Sequence, residues 1–586
     1  MKLIKSPSAR GGRQRITAVS LAVCVALTIA PLLATPARAS AEPGEKIPAR
    51  VMLTPTTSCE ALAGMAVPSS AIALATSGAT ITSTTLRPAT PEVVGPDEVT
   101  HALPEYCEVS ASIHPVDPAA PPINLQVNIP TRWNQMTVQV GGGGLNGSIP
   151  SSLTSNVPPT GRAFPPDADY PMSDGYAMYG GDSGHQDPST DATWALNDEA
   201  WQNFGYASLK KTHDVAFSVI RALYGKKPKV SYFVGNSQGG REALEVAQRY
   251  PKDYDGVVAA APLIGYSAHV IHKTLLATVQ TGPGWIPPAK YEVVAEEVMR
   301  QCDALDGLDD GVIGNYPRCE AQFDPLKVAQ PYDAIRCPDG GDAADNCVSD
   351  AQIATLNQMH RPTKLGYELA NGWTEFPGYG VGREAFSGWL TMNPQPDEST
   401  QPSLGQPGAT LRYGILKDPT FNLVNFETAR FADRIRAASA VIDSTNPDLS
   451  TFFAHGGRLI IKTQSSDYSS NPHTVMRFYD EMVARFGQRK VDDHVRLYVL
   501  PNGNHGGEGQ STVTGEPIPQ YIDLIRMSTN WVEKGITPLD APVLSSQLTL
   551  PPYTTLATKP MCRYPAYPRY VGGDRRDADA YRCVAD

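Results

Sequence analysis

The chain has 586 residues, with 49 Lys and Arg against 60 Asp and Glu and a formal net charge of -11. That acidic balance gives no electrostatic footprint for nucleic acid. The length lies far above one minimal domain and permits a large core carrying an insertion.

The first segment is basic at Lys2, Lys5, Arg10, Arg13 and Arg15, then mostly apolar over 16–33, then small-x-small at Ala37-Arg38-Ala39. This pattern predicts a secretory signal peptide over 1–39, cut after Ala39. The rival reading is an uncleaved anchor, because the apolar run approaches bilayer-spanning length. No later stretch has that length and apolarity, so the mature chain is expected to be exported and free of the membrane. Cys24 leaves with the signal. Eight cysteines remain: Cys59, Cys107, Cys302, Cys319, Cys337, Cys347, Cys562 and Cys583. An even count in an exported chain suggests four disulfides. Spacing offers Cys302 with Cys319, Cys337 with Cys347 and Cys562 with Cys583, leaving Cys59 with Cys107, but does not fix the connectivity. No C-x-x-C occurs, which argues against a zinc or thioredoxin-like motif.

Residues 40–120, rich in Ala, Thr and Pro, read as an irregular lead-in. The stretches 123–129 and 136–140 alternate or run apolar as strands do. The second leads into Gly141-Gly142-Gly143-Gly144. Tyr176-Ala-Met-Tyr179 with Gly180-Gly181 follows, and 205–224 reads as a helix. Strand 229–234 then precedes Gly235-Asn236-Ser237-Gln238-Gly239. This is G-x-S-x-G, the nucleophile elbow of serine hydrolases, and it needs a strand before it and a helix after it. Ala243, Leu244 and Ala247 stand at helical spacing before Pro251. Strand 257–261 follows.

From 263 to about 450 the parallel-strand pattern stops. Pro, Gly and four cysteines appear with Trp285, Trp373, Phe376, Tyr379, Phe386 and Trp389. This reads as an inserted lid. Strand 458–462, helix 472–486, strand 495–500 and a helix near 521–533 restore the alternation, which predicts a mostly parallel sheet covered on both faces. The expected organisation is α/β: a hydrolase core over 40–262 and 451–586, with the lid at 263–450.

A serine hydroxyl is a poor nucleophile and needs a base, which needs an orienter. In the elbow arrangement these follow in the order serine, acid, histidine, each in a loop after a strand. Asp467 and His505 satisfy both conditions. Asp480, the rival acid, falls inside a helix. His185 precedes the serine, the wrong order for the base, and reads as structural or as lining the site. Two backbone N–H groups must meet the developing oxyanion. Gln238 supplies one, and the glycine run supplies the other, at Gly143 with Gly142 as the near alternative.

A second cluster, Asp303, Asp306, Asp309 and Asp310, packs four carboxylates into eight residues. Hard oxygen ligands at this spacing suit calcium, although the loop is not an EF-hand. The alternative is a solvated acidic turn stapled by Cys302.

Together these motifs resemble the tannases and feruloyl esterases, a family that also includes a mono(hydroxyethyl) terephthalate hydrolase. The resemblance rests on 133–147, Gly181-Asp-Ser-Gly-His185, 235–240, 302–312, 446–450, 456–461 and 501–507, and it spans nearly all of the mature chain. It implies an α/β-hydrolase core with a large lid and a Ser237–His505–Asp467 triad. It also implies a structural calcium ion, held by the side chains of Asp303, Asp306 and Asp310 and the carbonyls of Leu308 and Val312. The four disulfides match the family's framework. Two departures stand out. Relatives place bridged cysteines where this chain has Asn236 and Gly506. They also carry His-Gly-Trp-Ala-Asp where this chain has Thr463-Gln-Ser-Ser-Asp467. The resulting expectation is a secreted serine esterase acting on small carboxylic esters, with a feruloyl- or galloyl-type aromatic acid. The alternatives are another acyl hydrolase on the same triad, acting on polyester oligomers, lactones or amides, or a non-catalytic binding protein. Oligomeric state stays open.

Overall fold

The computed structural model describes residues 51–96, 99–154, 164–280, 282–382 and 405–585. The expected signal segment 1–39 lies outside them, as do Phe386 and Trp389. Ten strands of the described residues form one sheet. In chain order they are β1 (Ala66–Val67), β2 (Ala79–Arg87), β3 (Tyr106–Ile113), β4 (Ile123–Pro130), β5 (Met136–Val140), β6 (Ala177–Gly181), β7 (Val230–Asn236), β8 (Gly256–Ala260), β9 (Arg458–Gln464) and β10 (Val495–Leu500). Their spatial order is β1-β2-β3-β4-β6-β5-β7-β8-β9-β10. The half from β6 through β5 to β10 is parallel, and the half from β1 to β6 is antiparallel.

The antiparallel half corrects the sequence reading of 40–120 as irregular. β2 is Thr-rich and buries only its first residues, Ala79 and Ile81. A strand with so short an apolar face leaves little alternation to read. The parallel half behaves as its composition predicts, because covered faces demand apolar side chains on both sides. Tyr232 and Val234 of β7 join Val258, Ile460 and Tyr498 on one face. Phe233 joins Val257, Leu459 and Leu497 on the other.

α1 (Ser208–Tyr224) packs on β4 and β6, α2 (Gln238–Arg249) and helix Pro472–Phe486 cover the face that carries Phe233, and Leu524–Lys534 covers the opposite face. α1 stops at Gly225, whose φ of 64° gives the left-handed cap that a Cβ would resist. Between β8 and β9 no strand of the main sheet occurs among the described residues. This segment instead carries α3 (Tyr266–Val279), α4 (Pro288–Cys302), α5 (Asp350–His360) and α6 (Ala432–Ile442). α5 opens on a capping box between Ser349 and Gln352. Trp373, Phe376 and Tyr379 are buried in the same apolar cluster as the sheet face below them. These three aromatics serve packing, whereas Trp285 is partly exposed.

Four disulfides staple the chain: Cys59–Cys107, Cys302–Cys319, Cys337–Cys347 and Cys562–Cys583. No helix among the described residues is long and apolar enough to cross a membrane.

Candidate active site

Ser237 stands between β7 and α2 with φ 61° and ψ -121°. A positive φ is costly for a side-chain-bearing residue and persists only where its surroundings enforce it. The glycines supply that enforcement. A Cβ on Gly235 would lie 2.2 Å from the Gly239 carbonyl oxygen, and one on Gly240 would lie 2.4 Å from that of Ala260. Strand and helix therefore meet more closely than any side chain allows. The Ser237 N–H donates to the Ala260 carbonyl at 2.9 Å, which ties the turn to β8.

The loop after β9 carries Asp467, and the loop after β10 carries His505. His505 Nδ1 lies 2.9 Å from Asp467 Oδ2 and 3.1 Å from Oδ1. An ionised carboxylate only accepts, so Nδ1 holds the proton and Nε2 is left as an acceptor. Nε2 lies 2.7 Å from Ser237 Oγ. The three residues named from loop order thus form one hydrogen-bonded chain. Asp480 instead takes a hydrogen bond from the Tyr564 hydroxyl.

Asp467 is buried, at 1 % exposure. Burial pushes its carboxyl upward, but the His505 charge and hydrogen bonds from His505 and Ser470 outweigh burial and hold it below the ordinary carboxylate value. For His505, burial lowers the pKa, and the Asp467 carboxylate more than reverses this. Ser470 is a residue that sequence order does not reveal. Its N–H and Oγ both donate to Asp467, at 3.0 and 2.6 Å. The Ser469 N–H adds a third bond at 2.8 Å. The His505 loop is closed by Asn504, whose Oδ1 accepts from the N–H groups of Gly506 and Glu508. Behind Asp467, the ring of Tyr468 packs on Tyr379, whose hydroxyl meets His269 Nδ1 at 3.2 Å. Lys273 Nζ lies over the same Tyr379 ring, and burial brings its pKa down to about 7.

The glycine loop after β5 lies against the first turn of α2. A Cβ on Gly141 would meet Gly239 Cα at 2.6 Å, and one on Gly239 would meet the Gly142 carbonyl at 2.7 Å. The Gly142 N–H is already committed to Glu242 Oε2 at 2.9 Å. Gly143 has open space around it. Of the two glycines weighed as oxyanion donors, Gly142 thus already has an acceptor for its N–H. Gln238 heads α2, where backbone N–H groups lack intrahelical acceptors. His185 is fully buried, stacks on Trp194 and reaches the Leu145 carbonyl at 2.7 Å. It supports the loop as a structural residue.

Residues 107–584 match the family model described as "Tannase and feruloyl esterase". An uncharacterized esterase of Agrobacterium fabrum is 35% identical over 553 residues, covering 90% of this chain and 93% of that protein. The chain belongs to the tannase and feruloyl esterase family. It is accordingly a carboxylic ester hydrolase. A mono(2-hydroxyethyl) terephthalate hydrolase of Piscinibacter sakaiensis is 27% identical over 83% of this chain and 85% of its own length. Among solved structures, feruloyl esterase B from Aspergillus oryzae matches with a TM-score of 0.70 at 21% identity, over 90% of this chain and all of that one. That likeness shows the α/β-hydrolase fold.

The acidic loop follows α4. Asp303, Asp306 and Asp310 are all buried. Asp306 Oδ2 has no hydrogen-bond partner, and burial pushes that carboxyl up to about 7. An orphaned buried carboxylate oxygen beside two further buried carboxylates fits the donor chemistry of a hard cation. Asp303, however, is turned toward backbone N–H groups of Asp310, Gly311 and Val312. Among the described residues no three His, Cys, Asp or Glu side chains converge on one point as metal ligands.

Proposed function

We propose that this tannase-family chain is a secreted serine esterase in which Ser237, His505 and Asp467 act as a catalytic triad. The observation that carries this reading is the unbroken chain from Asp467 through His505 to Ser237 Oγ, with the elbow serine at positive φ. Ser237 Oγ attacks the ester carbonyl while His505 Nε2 takes its proton. The oxyanion meets the N–H groups of Gly143 and Gln238. His505 returns the proton to the leaving alcohol, and an acyl-Ser237 ester remains. Water then attacks this ester, with His505 as base, to release the acid and restore the serine. Asp467 keeps the imidazole in the tautomer that these steps need.

The proposed substrates are esters of flat aromatic acids, of the hydroxycinnamate or gallate type, under a lid formed by 263–450. Family membership supports this class. The mono(2-hydroxyethyl) terephthalate hydrolase among the relatives favours a second reading, an aromatic polyester oligomer. Comparing kcat/KM for methyl ferulate, methyl gallate, mono(2-hydroxyethyl) terephthalate, aliphatic p-nitrophenyl esters and anilides tests both. Absence of aryl-acid ester turnover overturns the first reading.

Export is supported by the basic-apolar-small pattern of 1–39 and by the four disulfides. A calcium ion is proposed at the acidic loop, held by Asp303, Asp306, Asp310 and the carbonyls of Leu308 and Val312. It would neutralise the clustered carboxylates and act in stability rather than in the acyl transfer.

A further inference from the structure

We propose that Glu242 is a positioning residue for acyl transfer, a buried clamp that fastens the glycine loop to the elbow helix and so sets the spacing of the two oxyanion donors. The inference rests on the reading of Gly143 and Gln238 as those donors.

Glu242 stands on α2 four residues after Gln238, on the same helical face, and is 1 % exposed. Its carboxylate grips the glycine loop twice. Oε2 accepts from the Gly142 N–H at 2.9 Å, and Oε1 accepts from Asn146 Nδ2 at 2.6 Å. Asn146 closes the loop on itself, its backbone N–H donating to the Gly143 carbonyl at 2.8 Å. Gly143 thus lies between two gripped residues. A Cβ built on it meets nothing within 4 Å. With no neighbour pressing on that side, its place is set through the residues that flank it and the Asn146 bond to its carbonyl.

The chemistry of Glu242 points the same way. Burying a carboxylate is costly, and an apolar side chain would fill the space without that cost. Among the described residues no cation lies in ion-pair contact with Glu242. The adjacent Arg241 guanidinium acts on Glu242 through its charge alone; its contacts go to Gln238 Oε1, to the carbonyls of Phe204, Gly205 and Ile442, and to Glu245. What the buried acid provides is two acceptors aimed at one loop. The helix that holds Glu242 also presents the Gln238 N–H, so both oxyanion donors are referenced to a single rigid element. An oxyanion hole acts through preorganisation, and misplaced donors lose their effect.

The test compares wild type, Glu242→Ala, Asn146→Ala and Glu242→Gln on an aryl-acid ester and its thiono analogue, whose C=S group fits an oxyanion hole poorly. Wild type should favour the oxo ester by about 10² or more, the scale of one oxyanion donor. Glu242→Ala should lower kcat for the oxo ester by about tenfold to ~10³ with little change in KM. The thiono rate should barely move, so the preference collapses. Asn146→Ala, which cuts one of the two bonds, should fall between. Glu242→Gln should recover most of kcat, because its amide accepts from Gly142 and donates to Asn146 once the asparagine amide turns over. If wild type shows no oxo preference, the oxyanion reading itself fails. If wild type discriminates and folded Glu242→Ala discriminates equally, the clamp alone is wrong. Should Glu242→Ala not fold, an Asn146→Ala enzyme with unchanged kcat and unchanged preference overturns the clamp equally.

Discussion

Replacing Asp467 by Asn exchanges one carboxylate oxygen for an NH2 group, removes the charge and should nearly abolish turnover. The hydrogen bonds say how the new amide must sit. Oδ1 receives the backbone N–H groups of Ser469 and Ser470, at 2.8 and 3.0 Å. Those donors cannot reverse, so the amide oxygen must stay there. The NH2 group then takes the place of Oδ2, facing Ser470 Oγ and His505 Nδ1. An NH2 donates, which strips the proton from Nδ1 and leaves it on Nε2. That nitrogen can no longer accept from Ser237. In a serine triad this wrong tautomer costs about 10⁴ in kcat, or about 5.4 kcal/mol at ~1.36 kcal/mol per decade. Initial rates on an aryl-acid ester measure kcat, and thermal unfolding checks that the variant folds. Because both backbone bonds survive, its Tm should stay near that of wild type. A folded Asp467→Asn enzyme with kcat within tenfold of wild type refutes the tautomer argument.

Other outcomes follow from the same geometry. The proposed base His505 can take a proton only when neutral, and the Asp467 carboxylate holds its pKa above the ordinary value despite burial. kcat/KM should therefore fall as pH drops through a midpoint above about 6.5; a midpoint clearly below that in a pH profile contradicts the pairing. Replacing both Cys302 and Cys319 by Ser opens a loop with a sequence separation of 17. This should cost about 3 kcal/mol in denaturant unfolding. Calcium at about a hundred times its Kd should raise stability by about 2.7 kcal/mol, reversed by chelator; no shift in Tm and no ion released would remove the metal from the account. Gly240→Ala places a Cβ against the Ala260 backbone oxygen. It should destabilise by about 1–3 kcal/mol or more and lower the yield of folded enzyme, whereas an unchanged Tm would mean the strand and helix have room to part.

Much of the parallel half was legible because burial on both faces writes itself as short apolar runs. β7, β9 and β10 lie close to where composition puts them, and helix Pro472–Phe486 has the bounds its sequence suggests. Elbow order also picked out Ser237, Asp467 and His505, which the fold brings into one hydrogen-bonded chain. The antiparallel half was harder. β2 shows its polar side over most of its length, so its pairing with β3 leaves almost no mark in one chain. Glu242 was invisible for a different reason. Its partners, Gly142 and Asn146, lie about a hundred residues earlier, and an acid on a helix ordinarily reads as a solvated face. Ser470 likewise looks like one polar residue among several until its contacts with Asp467 are seen. The acidic loop was plain as a charge cluster, but the turn of Asp303 toward backbone N–H groups was not.

Trapping the acyl-enzyme tests the central claim most directly. The enzyme is mixed with a slowly deacylating aryl-acid ester, quenched in acid and analysed by intact and peptide mass spectrometry. One acyl group should appear on the peptide containing Ser237, and neither adduct nor turnover should appear in Ser237→Ala. An adduct on another residue, or a Ser237→Ala enzyme that still hydrolyses the ester at the wild-type rate, would contradict the account.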